Sequence, residues 1–278
     1  MPVVLQRLDS LLQRLGRSLI EQVTYALQLM HVLFTSVRAT MIDQAQGWRT
    51  VLSVVSSQIY FTGWQAMPLI TVLALASGGV VILQGSANFN IFGGQQMMGN
   101  LLVAVVIREL GPLLTALVVV ARSGTAVSSE VGNMRANREI EALESMGINP
   151  LSYIVFPRVL GGVVSVLCLS TYFIFIALAC GFLITKMIHG MPFNYYLDSL
   201  ARSVAIEDVW LFLLKNTFSG IIIFVIACYQ GLLVKKSPTE VPIMTTHAVV
   251  KSIIYVIVFN MSVTTLFYLY QLAKLGVI

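Results

Sequence analysis

The sequence predicts an all-α polytopic membrane protein: an N-terminal interfacial helix, then five transmembrane helices with a cytoplasmic coupling helix between spans two and three. Composition gives the first reason. Of 278 residues, 57% are hydrophobic and only 10% are charged, and the mean hydropathy is +0.86, whereas a water-exposed surface needs about a quarter of its residues charged. Charge placement gives the second. No Asp, Glu, Lys or Arg occurs from Thr50 to Ile107, Val159 to Thr185, Asn216 to Val234 or Ser252 to Ala273, and about 20 apolar residues cross a hydrocarbon core of about 30 Å. Backbone chemistry gives the third, because a chain in lipid must satisfy its own hydrogen bonds, which favours helices over open strands.

The elements follow in order. Residues 1–49 lack the continuous apolar core and cleavage site of a secretory signal. There Leu5, Leu8, Leu11, Leu12, Leu15, Leu19 and Ile20 recur at helical spacing, with Arg7, Arg14 and Arg17 available for a polar face. Such a helix lies in the inner interface; docking on a partner is the alternative. The membrane-spanning unit is then 50–278. Its long uncharged run is broken at Gln84–Asn88 and again at Gly93–Gln96, which reads as a hairpin of span one, about 63–84, and span two, about 97–121. An amphipathic helix is expected over 125–147, stopped by Gly147 and Pro150. Spans three, four and five fall near 154–185, 209–234 and 248–275.

Orientation follows from Lys and Arg in short loops, since cytoplasmic loops keep the positive charge. One side carries twelve: Arg7, Arg14, Arg17, Arg38, Arg49, Arg122, Arg135, Arg138, Arg158, Lys235, Lys236 and Lys251. The other carries Lys186, Arg202 and Lys274. The N-terminus is therefore expected in the cytoplasm and Ile278 on the opposite side.

Several chemistries find no footing. Cys168, Cys180 and Cys228 sit in apolar spans without CxxC spacing, and His31, His189 and His247 are scattered, so neither a metal site nor a hydrolytic nucleophile and base is expected. Gly94 and Gly99 have phosphate-loop spacing, but Asn100 stands where that loop needs Lys. No basic and aromatic interleaving suggests nucleic acid.

Two features are not explained by lipid solvation. Arg108-Glu109-Leu110-Gly111-Pro112 puts two ionisable groups about halfway through span two, where each costs several kcal/mol facing hydrocarbon. Neighbours on a helix point about 100° apart, so at least one needs a partner from another helix or a ligand headgroup. An interhelical salt bridge that fixes packing is one reading; a substrate site is the other. Pro112 lacks an N–H and frees the carbonyl of Arg108, favouring a kink at that level. The second feature is the long 122–157 loop. There Val131, Met134, Leu143 and Met146 can share a face while Arg135, Arg138, Glu139, Glu141 and Glu144 supply the polar remainder. That suits a lever for a cytoplasmic partner, or a solvated helix that merely closes the loop.

Together with Ala121-Arg122-Ser123-Gly124, Glu130-Val131-Gly132-Asn133-Met134-Arg135, Glu141-Ala142-Leu143-Glu144-Ser145-Met146-Gly147, Asn149-Pro150 and Pro157-Arg158, the Arg108–Pro112 stretch closely resembles the MlaE (YrbE) family of ABC transporter permeases, from about Gln58 to the C-terminus. The resemblance implies a homodimeric permease for phospholipids or related lipids, served by a separate cytoplasmic ABC ATPase and a mammalian-cell-entry (MCE) domain protein on the periplasmic side. It implies no cofactor in this chain, with ATP and Mg bound by the ATPase. A bacterial inner membrane is the implied location; a chloroplast inner envelope is the other home of the family. Carried over by position, Val81, Gln84, Asn88, Phe89 and Phe92 are expected lipid-binding residues, Phe89 and Phe92 reading equally well as aromatic anchors at the outer interface. Arg108 and Glu109 join them as the charges at mid-membrane depth, and Glu130, Met134, Arg135, Arg138, Glu139 and Glu144 are the expected ATPase-coupling residues. An ion-coupled secondary carrier and a non-transporting scaffold are the readings set against this one.

Overall fold

A computed structural model describes residues 2–42, 48–87, 96–235 and 237–274. No strand occurs among them, and five helical stretches are long and apolar enough to cross a membrane: Val51–Gly85, Gly99–Ala136, Leu151–Ile188, Ile206–Leu232 and Pro238–Lys274. The chain is thus an all-α polytopic membrane protein, as its charge-free runs require.

Helix α1 (Pro2–Ile42) packs across the ends of other helices. Ser36 donates from its hydroxyl to the Leu151 carbonyl at 2.9 Å, and the Tyr229 hydroxyl donates to Gln28 Oε1 at 2.8 Å. Burial pushes the Tyr25 phenol up to about 12, so its ring stays neutral where it packs 5.5 Å from Tyr229.

Span one is longer than the sequence suggests. Helix α2 (Trp48–Thr62) and helix α3 (Met67–Ala87) are separated by a 3-10 turn at Trp64–Ala66, and both pack along the third span. The expected 63–84 corresponds to α3; α2 is a further helix, unbroken in hydropathy and so invisible to it. At Gly78 a Cβ would run into the Ala177 backbone, so glycine lets α3 approach span three closely.

Span two is one continuous rod of changing pitch. Helix α4 (Gln96–Leu101) leads into a π-helical stretch, Leu102–Leu110; helix α5 (Gly111–Val119) into a second, Val120–Gly124; and helix α6 (Thr125–Ala136) completes it. From Gly99 to Ala136 this is 38 residues, about 57 Å at 1.5 Å per residue, well beyond the hydrocarbon thickness. The separate surface helix expected over 125–147 is therefore two things. Residues 125–136 prolong span two and bury Val127, Ser128, Val131 and Gly132 against spans four and five. After a turn in which Arg138 takes φ 61°, helix α7 (Glu139–Ser145) follows alone, burying Ile140. Gly147, at φ 76°, ends it as expected.

Helix α8 (Phe156–His189), entered through a π-helical turn at Leu151–Val155, is the third span. Helix α9 (Phe193–Ser203) was not foreseen in the loop; it buries Tyr196 and Leu200 and packs on α4. Gly99 permits this contact, since a Cβ there would lie 2.5 Å from Ser199 Oγ. Burial raises the Tyr196 phenol above its ordinary range, and its hydroxyl donates to the Leu178 carbonyl at 2.9 Å. Helices α10 (Ile206–Leu232) and α11 (Val241–Lys274) are spans four and five. The core lies where α10 packs between α8, α11 and α6, around Phe173, Ile223 and Phe224.

Candidate functional site

The π-helical stretch before Pro112 determines what Arg108 and Glu109 can reach. In place of the α-helical pattern, the Gly111 N–H bonds the Val106 carbonyl five residues back, and Pro112 has no N–H to offer the carbonyl of Arg108. That carbonyl is taken by Lys215 of α10, whose Nζ donates to it at 2.7 Å. Lys215 also donates to Glu109 Oε1 at 3.0 Å and to Thr264 Oγ1 of α11 at 2.7 Å, so its three protons have three acceptors. Thr264 lies 3.0 and 3.1 Å from the two Glu109 oxygens. The Lys215 side chain is 0% exposed and that of Glu109 33%.

Arg108 turns the other way. Its Nε is 2.7 Å from Asp208 Oδ1, with side chains 15% and 0% exposed. The N–H does not point at that oxygen, since neither atom has a hydrogen-bond partner; the contact is an ion pair rather than an aligned hydrogen bond. Asp208 Oδ2 meanwhile accepts the Ala205 N–H at 2.9 Å and caps α10. The guanidinium also stands 5.3 Å from the centre of the Phe267 ring.

The four charges sum to zero; Glu109, Lys215 and Thr264 share one level, while Asp208, two residues from Ile206, lies nearer the start of α10. Glu109 is ten residues from Gly99, Lys215 nine from Ile206 and Thr264 ten from Lys274, about 13–15 Å from that end of each helix, near the middle of a 30 Å core. Below Lys215, Asn260 Nδ2 donates to Ser219 Oγ at 3.1 Å. Phe267 also lines an open apolar cavity of about 550 Å³ between α10 and α11, with Trp210, Leu214, Phe218, Tyr270 and Glu207, the last paired with Lys274 at 2.7 Å.

Of the expected lipid-binding residues, the structure thus joins Arg108 and Glu109 to α10 and α11. Val81 packs against the core and Gln84 is exposed on α3, which runs beside the 102–110 stretch; Asn88, Phe89 and Phe92 lie outside the described residues. Sequence reading missed Asp208, Lys215 and Thr264. Lys215 carried a signal, as a lone lysine inside an expected span.

The expected coupling residues separate into two groups at the other end of the bundle. Glu130, Met134 and Glu139 line a cavity of about 670 Å³ with Gln58, Asn133 and Arg158. There Arg158 Nη2 lies 2.8 Å from Glu130 Oε1, the arginine 9% and the glutamate 60% exposed, and Arg158 Nη1 donates to the Ile154 carbonyl. Arg135 pairs with Glu141 at 3.3 Å, while Arg138 and Glu144 are exposed on the turn and on α7. Among the described residues no three His, Cys, Asp or Glu side chains are grouped to hold a metal ion.

Comparison with known proteins adds identity to this geometry. The family model described as "Permease MlaE" matches residues 55–266. A probable ABC transporter permease protein of Rickettsia prowazekii (strain Madrid E) is 32% identical over 219 residues, 78% of this chain and 84% of that protein. One of Synechocystis sp. (strain ATCC 27184 / PCC 6803 / Kazusa) is 30% identical over 203 residues, 73% and 77% of the two chains. The chloroplastic protein TRIGALACTOSYLDIACYLGLYCEROL 1 of Arabidopsis thaliana is 26% identical over 221 residues, 80% of this chain and 62% of that one. The chain belongs to the MlaE permease family and is a membrane permease subunit of the ABC transporter type.

Proposed function

We propose that this permease moves phospholipid through a homodimer, driven by a separate cytoplasmic ATPase and exchanging its cargo with a periplasmic MCE-domain protein, in a bacterial inner membrane with the N-terminus inside. The observation that carries the reading is the neutral quartet of the Glu109–Lys215 pair at mid-membrane level and the Arg108–Asp208 pair that runs from it towards the start of α10, with Glu109 a third exposed and Arg108 stacked on a wall of an apolar cavity. A packing device alone has no need to leave a carboxylate partly open at that depth. A phosphate group near Arg108, with acyl chains against Trp210, Phe218 and Phe267, would meet a cation above an apolar surface. Val81 and Gln84 of α3, which runs beside the 102–110 stretch, are proposed as further lipid contacts, together with Asn88, Phe89 and Phe92 outside the described residues.

The ATPase docks at the other end, on α7 and the mouth of the 670 Å³ cavity, through Glu130, Met134, Arg135, Arg138, Glu139 and Glu144. Because α6 is the unbroken continuation of the rod that carries Glu109, displacement at Met134 reaches the quartet without crossing a loop. The ATPase must prefer one position of that rod for hydrolysis to drive it.

Mass spectrometry of lipids co-purified with the chain, with and without the ATPase and ATP, tests the reading. About one phospholipid retained per dimer and lost on ATP addition is expected; equal recovery under both conditions, or no phospholipid, would contradict it.

A further inference from the structure

A second site lies where α1 crosses α11, away from the quartet. Lys251 sits ten residues into α11 from Val241, about 15 Å along the helix. Among the described residues it has no ion-pair partner; its ammonium stands 3.9 Å from the centre of the Tyr25 ring. It opens on a cavity of about 460 Å³ between the two helices, lined by Glu21, Gln22, Tyr25, Ile254, Tyr255 and Val258. Tyr255 packs its ring 5.8 Å from Tyr25 and donates to the Gln22 carbonyl at 3.4 Å, so the aromatic wall is held from both helices.

The polarity of this cavity matches one kind of occupant. Lys251, Ile254, Tyr255 and Val258 follow the i, i+3, i+4, i+7 spacing of one helix stripe. The stripe begins with a cation and becomes apolar about 10 Å further along, towards the interior of the span. Glu21, which has a contact of its own, faces the same cavity from α1. One cation and one carboxylate at the mouth of an apolar groove complement a headgroup carrying both a phosphate and an amine.

We propose that the α1–α11 groove binds a resident zwitterionic phospholipid from the leaflet on the α1 side, its phosphate on Lys251, its ammonium towards Glu21 and an acyl chain along Ile254 and Val258. This lipid is a structural ligand of the permease, not its cargo. It joins α1, which also contacts α8, α10 and the 151–155 turn, to span five.

The test is native mass spectrometry of the full chain in detergent, titrated with 1-palmitoyl-2-oleoyl phosphatidylethanolamine, the matching phosphatidylglycerol or the matching diacylglycerol. Wild-type protein should retain one phosphatidylethanolamine per chain beyond what Lys251→Met retains, with apparent affinity about tenfold or more higher, as a charge-assisted hydrogen bond implies. Phosphatidylglycerol should bind more weakly and diacylglycerol should not replace it. Val258→Trp, which fills the tail groove and leaves the ammonium in place, should lose the same lipid, so the result does not depend on how well Lys251→Met folds. Equal retention by wild type and both variants, equal binding of phosphatidylglycerol, or displacement by free inorganic phosphate would each overturn the assignment. Cargo bound at the quartet is unaffected by either variant, so failure here is distinct from failure of the transport reading.

Discussion

Glu109→Gln is the most informative single change, because it alters charge and almost nothing else. Glutamine keeps an acceptor oxygen for Lys215, whose other acceptors, the Arg108 carbonyl and Thr264 Oγ1, both lie at 2.7 Å, so the hydrogen-bond count survives. What is lost is the countercharge of an ammonium that is 0% exposed. Stranding a buried charge in this way costs about 3–5 kcal/mol. Lys215→Met strands the carboxylate instead, but Glu109 is 33% exposed and still bonded by Thr264, so about 1–3 kcal/mol is expected. Removing both charges together should leave stability within about 1 kcal/mol of wild type, since apolar replacement of a buried pair is commonly neutral. The coupling between the two sites is then at least about 3 kcal/mol, far above the roughly 0.5 kcal/mol scatter of independent sites. Reversible unfolding of the purified chain in detergent micelles measures all four corners of the cycle. A double variant as unstable as the sum of the singles would refute the pairing.

Three further outcomes follow from the same geometry. Asp208→Asn keeps an acceptor for the Ala205 N–H but leaves Arg108 without its anion; a loss of about 1–3 kcal/mol in the same unfolding measurement is expected, and an unchanged midpoint would show that the pair contributes nothing. Gly99→Val places side-chain carbon against Ser199 and should detach α9 from α4, costing about 1–3 kcal/mol and exposing the 190–205 stretch to limited proteolysis; wild-type digestion would contradict that packing. Reversing charge at the exposed Glu139 and Glu144 should cut co-purification of the ATPase severalfold without altering membrane insertion, and full recovery would move docking away from α7.

Much of the architecture was legible because lipid leaves a one-dimensional trace. Helix α3 is described to Ala87 and α4 from Gln96, most of the expected hairpin break lying outside the described residues. Spans three and four begin and end within about three residues of expectation, whereas span five begins at Pro238, ten residues before the expected 248. Hydropathy failed where structure depends on packing. Arg135, at the head of the polar set that runs on through Arg138, Glu139, Glu141 and Glu144, gave 125–136 the look of a surface helix, yet Val127, Val131 and Gly132 face spans four and five, which holds the segment in line with span two. The 3-10 turn at Trp64–Ala66 interrupts the helix without changing polarity. The site was half legible for a similar reason. Cost in lipid identified Arg108 and Glu109 as needing partners, and Pro112 identified a free carbonyl, but Lys215 and Thr264 are 106 and 155 residues away from Glu109, a separation that only the fold closes. Lys215 stood at the edge of the uncharged run beginning at Asn216, where it looked like a boundary rather than a centre.

The central claim is that the Glu109–Lys215 pair serves passage of a lipid and not merely the seam between helices. ATP-dependent phospholipid transfer by the reconstituted complex carrying both Glu109→Gln and Lys215→Met decides between these, because that double change should restore stability while abolishing the site. Transfer reduced at least tenfold in a normally folded, ATPase-bound complex is the expected result. Transfer at the wild-type rate would make the charges a packing device and place the lipid path elsewhere.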